Sequence, residues 1–167
     1  MNNAKIAPGL LRDIGLFGGL TDETLSELAS TLEVVDVSPG TTMFREGEGG
    51  RDMFVLLGGE MEVLKQSKRQ TLDARVALLG PGDWFGEMSI LDVLPRSATM
   101  RALAPSRLLR ITAQDLDALY RRDMKSYALM VLNIAREMSR RLRVSDGILA
   151  DLVAAGMDEY GPPPRQL

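Results

Sequence analysis

The sequence contains no cysteine and no histidine. The first absence removes disulfides, thiolate nucleophiles and cysteine metal sites together. The second removes the commonest general base and the commonest metal ligand. No acid pair, no nucleophile beside a base and no metal cluster stands out among the remaining residues, so enzyme chemistry is not expected. Excess charge is also lacking: the net value is −3 over 167 residues, which gives the surface no electrostatic reason to seek nucleic acid or an anionic membrane. The opening Met1-Asn2-Asn3-Ala4-Lys5-Ile6-Ala7-Pro8 has no apolar signal core, and no apolar run is long enough to cross a bilayer. A cytoplasmic protein without membrane contact is expected.

The length suits one compact domain and leaves no room for a second. Residues 1–9 read as an N-terminal segment, 10–155 as the domain and 156–167 as a flexible proline-rich tail. Residues 10–31 carry a helical period through Leu16, Phe17, Leu20, Leu25, Leu28 and Ala29, with Thr21 as a helix start. From 33 to 112 the pattern changes to short apolar strands, punctuated by Ser38-Pro39-Gly40, Glu46-Gly47-Glu48-Gly49-Gly50, Gly58-Gly59 and a polar hairpin tip over 65–70. This spacing predicts a small antiparallel barrel or roll. Such a roll would suit a cupin-type metal enzyme, but the missing histidines argue against one. Thr112-Ala113-Gln114-Asp115 predicts a helix cap opening the C-terminal helices over 113–155, the longer beginning near Lys125 and regular structure ending at Gly156. No internal repeat is visible.

The most specific stretch runs from Gly86 to Thr99, Gly-Glu-Met-Ser-Ile-Leu-Asp-Val-Leu-Pro-Arg-Ser-Ala-Thr. Gly86 to Leu91 predicts one short helical turn, whose leading N–H groups favour an anion. Pro95 ends that turn and sends the chain into a strand, so Arg96 swings its planar fork back toward the same spot. Glu87 is ill suited to an anion, and its expected task is to accept a hydrogen bond from a sugar hydroxyl. Ser97 adds a hydroxyl, and Ser89 a further donor. A cyclic phosphodiester needs this set: donors for one delocalised charge and an acceptor for a ribose hydroxyl. The bland alternatives are a dipole-favoured acid for Glu87 and a capping arginine for Arg96.

Phe85-Gly86-Glu87-Met88 followed by Arg96-Ser97-Ala98-Thr99 resembles the phosphate-binding cassette of cyclic nucleotide-binding domains. Gly40, Phe44-Arg45-Glu46-Gly47, Gly58-Gly59-Glu60 and Pro81-Gly82-Asp83 fall where that family places its turns, so the likeness to the sensor half of the catabolite activator family extends from about Leu11 to Leu152. The resemblance implies an α+β, mainly β fold: an antiparallel, jelly-roll-like β-roll (a double-stranded β-helix) with N-terminal helices and a long C-terminal helix. It implies no cofactor but a regulatory ligand, cyclic AMP or cyclic GMP, held by Gly86, Glu87, Met88, Ser89, Arg96, Ser97 and Ala98. Val63, Val76 and Leu79 then line its sugar and base. Ser97 fits a position that holds alanine or serine in cyclic AMP receptors and threonine in many cyclic GMP receptors, and both ligands stay open.

Along the long helix Ala128, Val131, Ala135, Met138, Leu142, Ser145, Leu149 and Leu152 recur at alternating three and four, the pattern of a helix-to-helix seam. A homodimer through this face is expected; the alternative is a helix that only caps its own domain. In the resembled family two hydroxyl residues after an Arg-Arg-Leu-x-Val run touch the base. Here Arg140-Arg141-Leu142-Arg143-Val144 leads to Ser145 and to Asp146, a carboxylate in place of the second hydroxyl. Arg136, Arg140, Arg141 and Arg143 read as a solvated basic face paired with Glu137, not as a nucleic-acid contact. The family's transcription factors continue into a helix-turn-helix, whereas this sequence runs into Pro-Pro-Pro-Arg-Gln-Leu. The expectation is a stand-alone receptor module that signals to its dimer mate or an unknown protein effector by repositioning the helix. The alternatives are a nucleotide-independent scaffold of the same fold and the sensor half of a truncated regulator.

Overall fold

The computed structural model describes residues 6–66 and 73–160, with side chains described to residue 155. The expected hairpin tip beyond residue 66 and the tail beyond residue 160 lie outside the described residues.

Strand β3 (Asp52–Gly58) decides the architecture. Its period of two sends Met53 and Val55 to one side and Phe54 and Leu56 to the other, and all four are buried. A strand buried on both faces needs a layer on each. In chain order the other strands are β1 (Glu33–Val37), β2 (Thr42–Phe44), β4 (Met61–Gln66), β5 (Asp73–Leu79), β6 (Trp84–Phe85), β7 (Thr99–Ala102) and β8 (Ser106–Thr112). They form two antiparallel four-stranded sheets, ordered β1-β8-β3-β6 and β2-β7-β4-β5. Phe54, Leu56, Phe85 and Leu108 meet Phe44, Met61, Leu79 and Met100 between the sheets. On the outer side of the first sheet Met53, Val55, Trp84, Leu109 and Ile111 pack against helices. The expected roll with flanking helices is the fold observed.

The helical stretch over 10–31 is divided into α1 (Pro8–Arg12), a 3₁₀ turn (Gly15–Phe17) and α2 (Asp22–Thr31). Gly18-Gly19 interrupts it, with Gly19 at φ +86°, outside helical space. Thr21 caps α2 by accepting from the Thr24 amide at 3.3 Å. Thr112 and Asp115 form a reciprocal capping box at the start of α4 (Ala113–Arg122). The final helix, α5 (Met124–Tyr160), starts at Asp123, whose carboxylate accepts from the Ser126 amide at 3.1 Å. It runs through Gly156 rather than ending there, since glycine lowers helix propensity by only about 1 kcal/mol. Ser126, Met130, Asn133 and Ile134 are buried against the domain, and Asn133 donates to the Leu16 and Gly18 carbonyls at 3.1 and 3.0 Å. From residue 142 to 155 every side chain is exposed.

Candidate functional site

Strand β6 ends at Gly86, which turns the chain at φ +86°, where an added Cβ would also lie 3.0 Å from the Asp52 carbonyl oxygen. The short helix α3 (Met88–Leu91) follows, with the Glu87 backbone carbonyl at its start accepting from the Ile90 and Leu91 amides at 3.1 Å. Pro95 then releases the chain into an extended stretch: the Arg96 amide donates to the Glu48 carbonyl at 2.8 Å, and the Gly47 amide to the Arg96 carbonyl at 2.9 Å. These bonds bring Arg96 back beneath the turn it left.

Arg96 is 5% exposed. Its Nη1 donates to the Asp52 carbonyl at 2.6 Å, the Gly86 carbonyl at 3.0 Å and Ser89 Oγ at 2.9 Å. Nη2 pairs with the Asp52 carboxylate, and the guanidinium carbon lies 4.0 Å from the centre of the Phe44 ring. Its Nε is buried and has no hydrogen-bond partner. A buried donor without a partner is costly.

A cavity of 170 Å³ opens beside this arginine. Its walls include Gly86, Glu87, Met88, Ser89, Arg96, Ser97 and Ala98 from the cassette, with Val63 and Leu79 from the second sheet. The structure therefore gathers these sequence-selected residues around one space. Val76 is elsewhere: Ala77 pairs with Val63 and Arg75 with Leu64, so Val76 is the unpaired residue of a bulge and is 58% exposed. Ser145 and Asp146 do not reach the cavity either; both lie on the part of α5 that has left the roll, and Ser145 Oγ donates to the Arg141 carbonyl at 3.0 Å.

Two residues assigned no site role from sequence belong to this arrangement. Asp52 is the half-buried partner of Arg96. Arg141, expected in the solvated basic face, instead lines the cavity from α5. Its Nη2 donates to the Trp84 carbonyl at 2.9 Å, its Nε to Glu137 at 3.2 Å, and its Nη1 lies 3.5 Å from the Glu87 carboxylate. Its place in the Arg-Arg-Leu-x-Val run was the available signal, whereas no local pattern marks Asp52.

Glu87 is 5% exposed, and burial raises its pKa above the ordinary carboxyl value despite Arg141 and Arg96 nearby. On its other side lies a larger cleft of 370 Å³ between α3, α4 and α5, walled by Met53, Ile90, Leu116, Met130 and Ile134. The cavity thus presents two guanidinium groups and one acceptor, which suits an anion that also carries a hydroxyl. Among the described residues no group of three or more acids gathers as a metal site, and no helix is long and apolar enough to cross a membrane.

The model of the cyclic nucleotide-binding domain matches residues 34–123. A CRP-like cAMP-activated global transcriptional regulator of Mycobacterium tuberculosis is 30% identical over 86% of this chain and 62% of its own length. A cyclic nucleotide-binding domain from Methylobacillus flagellatus superposes with a TM-score of 0.77 at 26% identity, covering 86% of this chain and 80% of that one. The Thermus thermophilus catabolite activator protein superposes at 0.72 with 32% identity, over 84% and 63%. The chain spans about three fifths of the curated bacterial regulators it matches, 62% and 58%. With the roll, the cassette and the buried arginine in place, the chain belongs to the cyclic nucleotide-binding domain family.

Proposed function

We propose that the chain is a cyclic AMP receptor module without catalytic activity. The observation that carries this reading is Arg96 and Glu87 set on one cavity whose outer wall is the Arg141 side chain of α5. The phosphodiester takes the Arg96 Nε, Ser89 and the cassette amides, Glu87 accepts from the ribose hydroxyl, and Val63, Leu79 and Met88 receive the base. Cyclic AMP is preferred to cyclic GMP because Ser97 offers a small hydroxyl and the Mycobacterium tuberculosis relative is named for activation by cyclic AMP. A cytoplasmic location is inferred from the same likeness.

The cavity's 170 Å³ is less than the roughly 300 Å³ of the smallest typical ligand pockets, so binding is accompanied by opening. The cleft behind α3 gives the cassette room to move, and Arg141 links that movement to α5. A ligand touching both elements favours the helix position to which it binds more tightly. α5 then signals to a second copy of the chain or to a protein effector. Its exposed seam of Leu142, Leu149 and Leu152, with Val131, Ala135, Met138 and Ser145 on the same stripe, supports a parallel homodimer.

Isothermal titration calorimetry with cyclic AMP, cyclic GMP and 5′-AMP tests this. The expected order is cyclic AMP tightest and 5′-AMP weakest. Tighter binding of cyclic GMP would reverse the base assignment. Absence of heat and of any thermal shift with all three at millimolar concentration would leave a scaffold domain of the same fold.

A further inference from the structure

The homodimer proposed above leaves open what fixes its direction and whether it reaches the nucleotide cavity. Leu142, Leu149 and Leu152 are 61%, 60% and 65% exposed and lie on one stripe of a helix that has left its own domain. With Ala128, Ala135, Leu142 and Leu149 as the first core position of each heptad and Val131, Met138, Ser145 and Leu152 as the second, the flanking residues follow. Those just before the first core position are Tyr127, Ile134, Arg141 and Ile148. Those just after the second are Leu132, Ser139, Asp146 and Val153.

Only two of these flanking residues are charged, and they are opposite in sign. In a parallel two-stranded coiled coil, the residue preceding a core position on one helix lies beside the residue following the next core pair on the other. Arg141 therefore meets Asp146 of the partner subunit, and by symmetry the pair forms twice. In an antiparallel coil like flanks face each other, and Arg141 and Asp146 find only uncharged partners or their own kind. Within its own chain Asp146 is exposed and, among the described residues, makes no ion pair. Arg141 is half-buried between the roll and the seam, with the Glu87 carboxylate at 3.5 Å.

We infer that Asp146 of one subunit pairs with Arg141 of the other across a parallel α5 seam, so that the partner completes the outer wall of each nucleotide cavity. This rests on the parallel-dimer reading and adds the charge pair that sets that direction. It also gives a role to the carboxylate that replaces the hydroxyl expected at this position: it addresses the partner's arginine instead of a base. A nucleotide that engages Glu87 releases Arg141 Nη1 for the partner's carboxylate while Nη2 and Nε stay on Trp84 and Glu137, and linkage then requires dimerisation and nucleotide binding to strengthen each other by the same factor.

The test is sedimentation equilibrium on Arg141→Asp and Asp146→Arg, each alone and mixed in equal amounts with distinguishable tags. Homodimers of the first place two carboxylates at each pair, and homodimers of the second place two guanidinium groups. In the mixed dimer both pairs are opposite in charge again. Each variant alone is expected to dimerise about tenfold more weakly than the wild type, with the mixture favouring the heterodimer by on the order of tenfold over the statistical ratio. Asp146→Asn, which adds no charge beside Glu87, is expected to weaken the dimer a few-fold at unchanged helicity. A wild-type dimer that Leu142→Glu dissociates, but that Asp146→Asn leaves intact and whose mixture stays statistical, removes the charge pair and keeps the seam. A wild-type chain that sediments as a monomer up to millimolar concentration overturns both.

Discussion

Arg96 and Asp52 stand 44 positions apart in the sequence and form an ion pair whose side chains are 4% and 17% exposed. Asp52 is held in turn by Arg110 at 2.8 Å, which itself pairs with Glu33 at 3.0 Å, so the cassette is anchored to the first sheet through a chain of charges. Two properties of the site follow. The guanidinium is preorganised by Asp52, the Gly86 carbonyl and Ser89, and the arginine is structural as well as the proposed anion contact.

Arg96→Lys keeps the charge but loses the fork, which lets one side chain bind Asp52, Gly86 and Ser89 together. Nucleotide affinity is expected to fall by roughly a hundredfold, equivalent to about 3 kcal/mol, as read by calorimetry. Arg96→Ala is expected to destabilise the fold as well, by about 3 kcal/mol in urea unfolding, because it strands partly buried acceptors.

Gly50 lies against the guanidinium, and a Cβ built there overlaps Arg96. Gly50→Ala should displace the fork while leaving the strands alone. The expected result is a loss of about tenfold in nucleotide affinity with about 1 kcal/mol or less of stability, measured by titration and denaturant unfolding on the same sample.

Glu87 is buried, and that burial raises its pKa from the ordinary 4.5. Between that value and the raised folded one the native chain binds more protons than the unfolded chain. Stability therefore falls as pH rises through this window and stays reduced above it. Glu87→Gln is expected to flatten that fall and to raise the melting temperature at pH 8 by about 2–4 °C, while weakening nucleotide binding through loss of the charged acceptor. Thermal melts from pH 4 to pH 8 for both proteins test the sign.

Leu142→Glu together with Leu149→Glu puts like charges on both sides of the seam. Sedimentation velocity is expected to change from dimer to monomer at micromolar concentration, with the roll intact by near-ultraviolet circular dichroism.

Gly147 lies within α5 on the side away from the seam, with nothing within 4 Å of an added Cβ. Gly147→Ala is expected to stabilise the distal helix by about 0.5–1 kcal/mol. The readout is a later loss of helical signal on heating, with nucleotide affinity unchanged.

The parts of the site legible in the sequence are those made by neighbours. Gly86, Glu87, Ser89, Pro95 and Arg96 form one turn, and its geometry follows from a positive-φ glycine, a short helix and a proline stop. The caps at Thr21 and at Thr112 with Asp115 were readable for the same reason. Val76 was misplaced because alternation along β5 does not reveal the bulge opposite Val63 and Leu64. The arginine-rich face of α5 reads as solvated; beyond the Arg-Arg-Leu-x-Val run, it is the docking of α5 against Trp84 that draws Arg141 out of it.

By itself, the sequence determined the order of strands and turns, the cassette, the seam pattern of α5 and the exclusion of cysteine and histidine chemistry. These rest on backbone sterics, local capping and side-chain type, which act within a few residues. The tertiary structure alone decided that Asp52 holds Arg96, that Arg141 closes the cavity beside Glu87, and that a carboxylate there is hard to ionise. Desolvation and ion pairing depend on which surfaces the folded sheets and helices bring together, and no short stretch of chain encodes that distance.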